Sequence, residues 1–262
     1  DPIGSRGLGD VYKRQDTNHA FAMFDHFYQK GGNVFDTAYI YNNGKSDNYL
    51  GSWIKSRDLR ERVVILGKGA HTPDCLPEKI RPQLEETLTR MSTSYLDIYC
   101  LHRDNETLPV EGFIDALNEL RDEGLINVLG ASNWTLERFK EANEYAQSVN
   151  KEPFSVLSNN FSLAHMINPV WPGCFSCSDN DYVEYLTKNQ IAIFPWSSQA
   201  RGFFLDAQEF TGVAHVADPN KEEQDRVWGS EENIERRKRC FELATAKSVD
   251  PIQMALAFVL NQ

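Results

Sequence analysis

The stretch Leu96-Asp97-Ile98-Tyr99-Cys100-Leu101 decides the fold class of this chain. It is a short and almost continuous apolar run, which is typical of a strand buried on both faces of a parallel sheet. The following segment repeats apolar residues at helical spacing (i, i+3, i+4, i+7) over residues 113–120. A second apolar run follows at residues 126–129. Together these segments predict a strand–helix–strand unit.

The same alternation repeats along the chain from residue 16 onward. Further apolar runs, each followed by an amphipathic stretch, lie at residues 33–35, 63–66, 154–157 and 191–194. Repeated units of this kind predict right-handed βαβ connections and a parallel sheet. An open doubly wound sheet and a closed (β/α)8 barrel both fit this pattern. The sequence contains neither a GxGxxG turn nor a P-loop, and this favours the barrel.

The predicted fold is an α/β (β/α)8 barrel that lacks its first and eighth strands. The chain ends at Asn261-Gln262, directly after an apolar segment at residues 254–260. We therefore expect residues 16–262 to form a partial barrel and residues 1–15 to be a non-native or disordered leader, with a short native arm as the alternative. Because two neighbouring strands would be missing, we expect exposed sheet edges and a chain that is poorly soluble or inactive by itself.

Composition excludes several classes of protein. The 262 residues include 27 Lys and Arg against 38 Asp and Glu, a net charge of −11, and 41% are hydrophobic, as in packed globular proteins. The acidic balance argues against nucleic acid and anionic membranes as partners. The longest uncharged stretch, residues 154–178, is interrupted by Asn, Pro and Gly and is not expected to span a bilayer.

Cysteine usage predicts a cytoplasmic protein. The chain has five cysteines, an odd number that does not form a disulfide framework and suits a reducing compartment. Cys174 and Cys177 form a single CxxC pair. A redox or zinc role is one interpretation of this pair, but chance loop cysteines are favoured because no second pair is present.

Polar residues follow each of the six apolar runs. In (β/α)8 enzymes the active site is built at the carboxyl ends of the strands. Helix caps or solvated strand ends are the alternative interpretation, which is weaker when all the runs share the feature. The residues in these positions are Asp36, Lys68, His102, Ser132-Asn133, Ser158-Asn159 and Trp196-Ser197.

Four separated motifs resemble those of the aldo-keto reductases. They are Phe35-Asp36-Thr37-Ala38-Tyr39-Ile40-Tyr41, then Lys68, then Leu101-His102, and then Gly130-Ala131-Ser132-Asn133-Trp134. The resemblance extends from about residue 16 to residue 262. It implies a barrel that uses a nicotinamide cofactor, NADP or NAD, to interconvert carbonyls and alcohols, and it implies no metal.

The resemblance implies a catalytic tetrad of Asp36, Tyr41, Lys68 and His102. Tyr41 would donate a proton to the carbonyl oxygen, and Lys68 is expected to lower the phenol pKa from its usual value near 10. Asp36 would keep Lys68 protonated, and His102 would orient the substrate oxygen. Alternatives are an Asp36 helix cap, a packing role for Tyr41, with Tyr39 nearby, and a core role for His102.

The resemblance also implies the cofactor contacts. It places the nicotinamide carboxamide against Ser132 and Asn133, and the nicotinamide ring on Trp196 with Ser197 beside it. Ser158 stands where the family usually has a Gln that holds the carboxamide. The remaining histidines follow no ligand spacing and are expected on the surface or in loops: His19, His26, His71, His165 and His215.

Residues 199–233 have little hydrophobic periodicity and are expected to form a long functional loop over the cofactor pyrophosphate. Arg201 is the cation expected to contact the pyrophosphate, and a merely solvated arginine is the alternative. The family's contacts to the adenosine 2′-phosphate would follow residue 262, so NADP and NAD both stay open.

Several aromatic residues are expected to rim a pocket for an aldehyde or ketone with apolar or sugar-like faces. They are Trp134, Trp171, Trp228, Phe203 and Phe204. Trp134 is the predicted substrate contact. Two other functions are weighed: a cofactor-binding regulatory subunit with the same barrel, and a metal-dependent barrel hydrolase, for which clustered ligands are lacking.

Overall fold

A computed structural model of the chain describes residues 17–205 and 221–262. The chain divides into two compact units, Asp1–Leu157 and Ser158–Gln262, and each is described by itself. The predicted leader at residues 1–15 lies outside the described residues, as does the middle of the predicted loop, residues 206–220. The extent of the barrel domain over residues 16–262 stays a prediction.

The first unit alternates strands and helices, as the sequence predicts. Its strands are β1 (Val34–Asp36), β2 (Val64–Gly69), β3 (Leu96–Leu101), β4 (Ile126–Ala131) and β5 (Val156–Leu157). Its helices are α1 (Thr17–Gln29), α2 (Lys45–Arg57), α3 (Pro77–Met91), α4 (Val110–Asp122) and α5 (Leu136–Ser148). Short 3-10 helices lie at Tyr41–Gly44 and Arg60–Arg62.

Strands β1 to β5 form a parallel sheet in which each strand pairs with the next one in the chain. The register aligns Leu66 with Ile98, Ile98 with Val128, and Gly130 with Val156. A doubly wound sheet reverses its strand order at a switch point, and no reversal occurs between β1 and β5. The order of these strands is therefore the one expected for a barrel.

The helices of the first unit bury the stripes that the sequence predicts. In α3, Ile80, Leu84 and Leu88 are buried, and Pro77 occupies the first turn, where its missing N–H leaves no hydrogen bond unmade. Helix α5 begins after Thr135, whose side chain accepts a hydrogen bond from Arg138 N at 3.3 Å. Pro77 and Thr135 thus mark the starts of the helices that follow β2 and β4.

An aromatic cluster holds α1 and α2 against β1. Trp53 is fully buried, and its ring centroid lies 5.4 Å from that of Phe24 and 5.0 Å from that of Phe35. Its indole N–H donates to Asp25 Oδ1 at 2.8 Å, so the polar atom of the buried ring is satisfied. This packing fixes β1, the strand that ends at Asp36.

The second unit contains α6 (Asn180–Lys188), β6 (Ala192–Ile193), a 3-10 helix at Ala200–Gly202, α7 (Lys221–Trp228), α8 (Glu231–Lys247) and α9 (Pro251–Leu260). Its core includes Phe203, Phe204, Val227 and Trp228. Helix α9 begins with a reciprocal capping box between Asp250 and Gln253.

The predicted long loop at residues 199–233 is partly helical, which corrects the sequence prediction. Helix α7 occupies Lys221–Trp228, and α8 begins at Glu231. An ion pair between Lys221 and Asp225, 3.0 Å apart at i,i+4, supports α7. The apolar residues that α7 buries, Val227 and Trp228, are adjacent at its end. They do not recur at helical spacing, so the sequence gives no sign of the helix.

Across the described ranges, no single helix has the length and apolar character needed to cross a membrane. Helices α8 and α9 meet these criteria only as a pair, bent by 103°.

Candidate active site

The carboxyl ends of β1, β2 and β3 bring three of the predicted tetrad residues to one edge of the sheet. Asp36 ends β1, Lys68 lies near the end of β2, and His102 directly follows β3. The His102 backbone N–H donates to the Gly69 carbonyl at 2.6 Å. The neighbouring strand ends are therefore tied together where these side chains emerge.

Lys68 and Asp36 form an ion pair. The Lys68 side chain is 3% exposed and that of Asp36 is 47% exposed. Burial lowers the pKa of the Lys68 ammonium, but the attraction of Asp36 and of the Tyr41 phenol outweighs this, so the pKa lies above its ordinary value. Asp36 does not cap a helix, because the next helical turn has Ile40 at its N-cap. The site thus holds a permanently charged, nearly buried ammonium.

The structure separates the two tyrosines that follow Asp36. The Tyr39 hydroxyl donates to Glu86 at 2.8 Å, and the Arg90 guanidinium lies 4.5 Å from the Tyr39 ring centroid. Tyr41 faces the other way: Lys68 Nζ lies 5.2 Å from its ring centroid. The Tyr41 ring also meets the His102 ring edge-on, with centroids 5.6 Å apart. Tyr41 is therefore the tyrosine beside the ion pair.

The electrostatics at Tyr41 qualify one expectation. Burial raises the pKa of the Tyr41 phenol above its usual value, and the Lys68 ammonium opposes this rise without reversing it. The residue retains an exposed fraction of 38%, and contact with water opposes a large rise. Lys68 lowers the phenol pKa as expected, but burial has the larger effect, so the net pKa lies above its usual value. Tyr41 therefore carries its proton at neutral pH.

His102 is a buried neutral imidazole. Burial, followed by the positive charges of Lys68 and Arg103, holds its pKa well below the ordinary value. Its Nδ1 is buried and makes no hydrogen bond within residues 17–205 and 221–262. A neutral imidazole has one N–H donor, which is suited to binding a carbonyl oxygen. The interpretation of His102 as a hydrogen-bonded core residue does not fit this geometry.

His71 lies beside His102. Apart from being three residues after Lys68, nothing in its sequence position indicates this contact. The two imidazole centroids are 4.8 Å apart, with an interplanar angle of 77°. His71 lies in the loop after β2, as expected of the remaining histidines. Its contact with a candidate catalytic residue was missed, because the sequence does not reveal the turn made after β2.

Two predicted cofactor residues follow β4 in the first unit. Ser132 and Asn133 are buried, and Asn133 Nδ2 donates to Ser132 Oγ at 3.0 Å. Ser132 N–H donates to the Leu101 carbonyl at 2.7 Å, which holds this segment beside the end of β3. The pair therefore lies next to the strand that leads to His102.

Trp134 does not lie at an open rim, which corrects its assignment as a substrate contact. Its side chain is fully buried, and its ring packs edge-on against Phe113 at 6.2 Å and Phe154 at 5.3 Å. In the second unit, Phe203, Phe204 and Trp228 belong to the core instead of a rim. A large aromatic ring gains more free energy from burial than from lining a solvated loop.

The second unit carries the other predicted cofactor residues. Ser158 is buried, and Trp196 and Ser197 are half-buried. Asn160 Nδ2 donates to the Trp196 carbonyl at 3.1 Å, and the Trp171 ring lies 6.0 Å from the Trp196 ring. These contacts fix the backbone and one side of Trp196, the residue predicted to stack on the nicotinamide.

Arg201 is ion-paired in this structure. Its guanidinium lies 2.6 Å from Glu223 and 5.1 Å from the Trp171 ring centroid. The alternative of a merely solvated arginine is therefore wrong. The contact with a pyrophosphate stays a prediction.

The CxxC pair consists of two buried cysteines that are not joined in a disulfide. Burial raises the pKa of Cys177 to about 12, so this thiol is protonated and unreactive at neutral pH. No group of three or more potential metal ligands occurs among residues 17–205 and 221–262.

Comparisons with known proteins agree with the strand order and the motifs. The sequence model of the Aldo/keto reductase family matches residues 2–262. Norsolorinic acid reductase stcV of Emericella nidulans is 28% identical over 275 residues, covering 98% of this chain and 64% of that protein. The NADP(+) aryl-alcohol dehydrogenase of Phanerodontia chrysosporium is 26% identical over 232 residues, covering 79% of this chain and 57% of that protein. The chain thus spans less than two thirds of the length of either relative.

A solved structure has the same fold. The crystal structure of an aldo-keto reductase from Klebsiella pneumoniae in complex with NADPH has a TM-score of 0.69 and 20% sequence identity. The match covers 99% of this chain and 74% of that one. Together with the family match, this likeness confirms the predicted α/β barrel class.

Proposed function

This chain belongs to the aldo/keto reductase family, and on that premise we propose that the full-length protein is an oxidoreductase that reduces aldehydes or ketones to alcohols. The proposed cofactor is NADP or NAD. The observation that carries the proposal is the nearly buried Lys68 ammonium, paired with Asp36 and placed beside Tyr41 and His102. Burying a charge is costly even when it is paired, and ionisable groups with perturbed pKa values cluster at functional sites, so this cluster favours a catalytic role over a structural one.

The residues of the first unit suit a nicotinamide carboxamide. Ser132 and Asn133 supply hydroxyl and amide groups beside the end of β3, which matches the donor and acceptor groups of a carboxamide. In the second unit, Ser158, Trp196, Ser197 and Arg201 stay predicted cofactor contacts. The bound nicotinamide would supply the hydride for the carbonyl carbon.

In the proposed mechanism, Tyr41 donates its proton to the carbonyl oxygen as the hydride arrives. Lys68 then stabilises the phenolate that the proton leaves behind, and Asp36 keeps Lys68 charged and in place. His102, neutral at working pH, donates an N–H hydrogen bond to the same carbonyl oxygen and orients it.

The competing function is a cofactor-binding regulatory subunit. Such a subunit would need the cofactor contacts but not a proton donor beside a buried ammonium. The tetrad geometry therefore favours turnover. The relative named for aryl alcohols supports aromatic aldehydes as a first substrate panel, with sugar-like aldehydes alongside.

Cysteine chemistry supports the proposed cytoplasmic location. All five cysteines are buried and none forms a disulfide, which fits a reducing compartment.

The test compares Tyr41→Phe with Tyr39→Phe in the full-length protein. Tyr41→Phe should lower kcat for aldehyde reduction by about 10²- to 10⁴-fold, because the acid catalyst is lost. NADPH binding, followed by quenching of tryptophan fluorescence, should be unchanged. Tyr39→Phe is the matched control and should retain turnover, because its hydroxyl bonds Glu86 away from the ion pair.

Three results would contradict the proposal. The first is the absence of saturable NADPH or NADH binding. The second is cofactor binding without turnover of any aldehyde, which would favour the regulatory subunit. The third is a Tyr41→Phe variant as active as the Tyr39→Phe control.

A further inference from the structure

We propose that His71 is a specificity-determining residue whose imidazole accepts a hydrogen bond from a substrate hydroxyl next to the reacting carbonyl. The substrate class is therefore the α-hydroxy carbonyl compounds. This inference rests on the proposed function, because it takes His102 as the group that binds the carbonyl oxygen.

The turn after β2 places His71 at the site. Ala70 has a left-handed backbone conformation, φ +55°, and its N–H donates to the buried Gln83 Oε1 at 2.7 Å. This hydrogen bond from α3 holds an unfavourable conformation for a residue with a Cβ. The turn brings the His71 imidazole within 4.8 Å of the His102 imidazole, measured between centroids. His71 is half-buried, so part of it remains open to a ligand.

The hydrogen bonds of His71 define which nitrogen can accept. Its Nδ1 lies 2.9 Å from the Thr72 carbonyl oxygen. A carbonyl oxygen only accepts hydrogen bonds, so Nδ1 carries the proton and Nε2 carries the lone pair in the neutral ring. Burial and, less strongly, the positive charge of Arg103 lower the pKa of His71, which favours the neutral ring. Within residues 17–205 and 221–262, His71 Nε2 has no hydrogen-bond partner.

The two imidazoles therefore have complementary roles. In the proposed mechanism His102 donates to the carbonyl oxygen, whereas His71, whose ring centroid lies 4.8 Å from that of His102, would offer an acceptor. In an α-hydroxy carbonyl compound the hydroxyl lies on the neighbouring carbon, and its O–H is the donor that His71 needs. A methyl group in the same place would leave the His71 lone pair without a partner.

The experiment compares hydroxyacetone with butanone, in which a methyl group replaces the hydroxyl. The ratio of kcat/KM for the two ketones is measured in the full-length wild type, in His71→Phe and in His71→Gln. Phe keeps a ring that can pack on His102 but has no acceptor, and Gln keeps an acceptor. We expect the ratio to fall by about 2- to 12-fold in His71→Phe, the range for one hydrogen bond, and to fall less in His71→Gln.

Two outcomes would overturn the inference. One is a His71→Phe ratio equal to that of the wild type. The other is an equal fall in both variants, which would mean that ring packing matters and the acceptor does not. If the wild type reduces neither ketone, the proposed function is judged separately by the aldehyde panel described above. In that case the dissociation constants of hydroxyacetone and butanone are measured by ligand-observed NMR with NADP present. Tighter binding of hydroxyacetone to the wild type that is lost in His71→Phe would support the role of His71. Equal constants in the wild type would overturn it.

Discussion

Replacing Asp36 by Asn should change how the stability of the fold depends on pH. Asn has nearly the shape of Asp, but it removes the negative charge that faces the Lys68 ammonium. In the wild type this charge, the hydrogen bond to Asp36 and the Tyr41 phenol together outweigh burial and keep the Lys68 pKa above its ordinary value. In the variant only the weaker attraction of the Tyr41 phenol is left against burial, which is the largest single effect, so the pKa of folded-state Lys68 should lie below its value in the unfolded chain.

The expected loss of stability near neutral pH is intermediate. Breaking a fully buried ion pair costs about 3–5 kcal/mol, and breaking an exposed pair costs about 0–1 kcal/mol. The Lys68 side chain is 3% exposed, whereas that of Asp36 is 47% exposed, so water screens one end of the pair. We therefore expect Asp36→Asn to lower the free energy of unfolding by about 2 kcal/mol.

The sign of the pH dependence distinguishes the two proteins. In the wild type the pKa of Lys68 is raised on folding, so its contribution is complete below the unfolded-state pKa of about 10.4 and is lost as pH rises beyond it. In Asp36→Asn the folded state releases the proton first. Stability should then increase with pH up to about 10.4, with a slope of at most about 1.4 kcal/mol per pH unit.

Urea unfolding of both full-length proteins at several pH values between about 7 and 10 tests this expectation. The difference in unfolding free energy between them should narrow as pH rises. The matched control is Lys68→Met with and without Asp36→Asn, in which the difference should not change with pH. A constant difference in the proteins that retain Lys68 would refute the idea that Asp36 maintains the Lys68 charge.

Three further substitutions test interactions that stabilise the first unit. Gly69→Ala should lower the free energy of unfolding by about 1–3 kcal/mol, because its Cβ would overlap the Tyr99 hydroxyl; an unchanged urea midpoint would contradict this. Burial raises the pKa of Asp47, so its contribution falls as pH rises through the unfolded-state value of about 3.9. Asp47→Asn should remove that fall, which thermal unfolding between pH values of about 3 and 6 would reveal. Arg60→Ala removes a 2.9 Å ion pair with Asp97 and should lower the free energy of unfolding by about 1–3 kcal/mol while kcat/KM is unchanged. A fall in kcat/KM of the folded variant would contradict this.

The strands could be predicted because burial on both faces leaves continuous apolar runs. The prediction ended β2 near Leu66, whereas the strand continues through Lys68 to Gly69. Glycine and lysine are poor strand formers, and only the pairing with β3 places them in the sheet. The end of β2 that carries Lys68 is thus the part that local propensity cannot predict.

The residues of the candidate site that lie in sequence motifs could be predicted. Sequence order places Asp36, Lys68 and His102 at strand ends, and the structure adds which tyrosine faces them. The burial of Trp134 and the approach of His71 to His102 depend on single turns and on neighbouring strands. Isolated loop residues have no periodicity, so the sequence carries no signal for either position.

The charge of Lys68 lowers the pKa of both of its neighbours, and in the proposed mechanism the two effects act at different stages. It helps to keep His102 neutral, and it opposes the rise in the Tyr41 pKa that burial causes. In the resting protein burial prevails at Tyr41, so the phenol holds the proton that a donor needs. As the proton leaves in the proposed mechanism, negative charge develops on the phenol oxygen and the attraction of Lys68 grows. The ammonium therefore stabilises the transition state more than the ground state, and only such a difference accelerates the reaction.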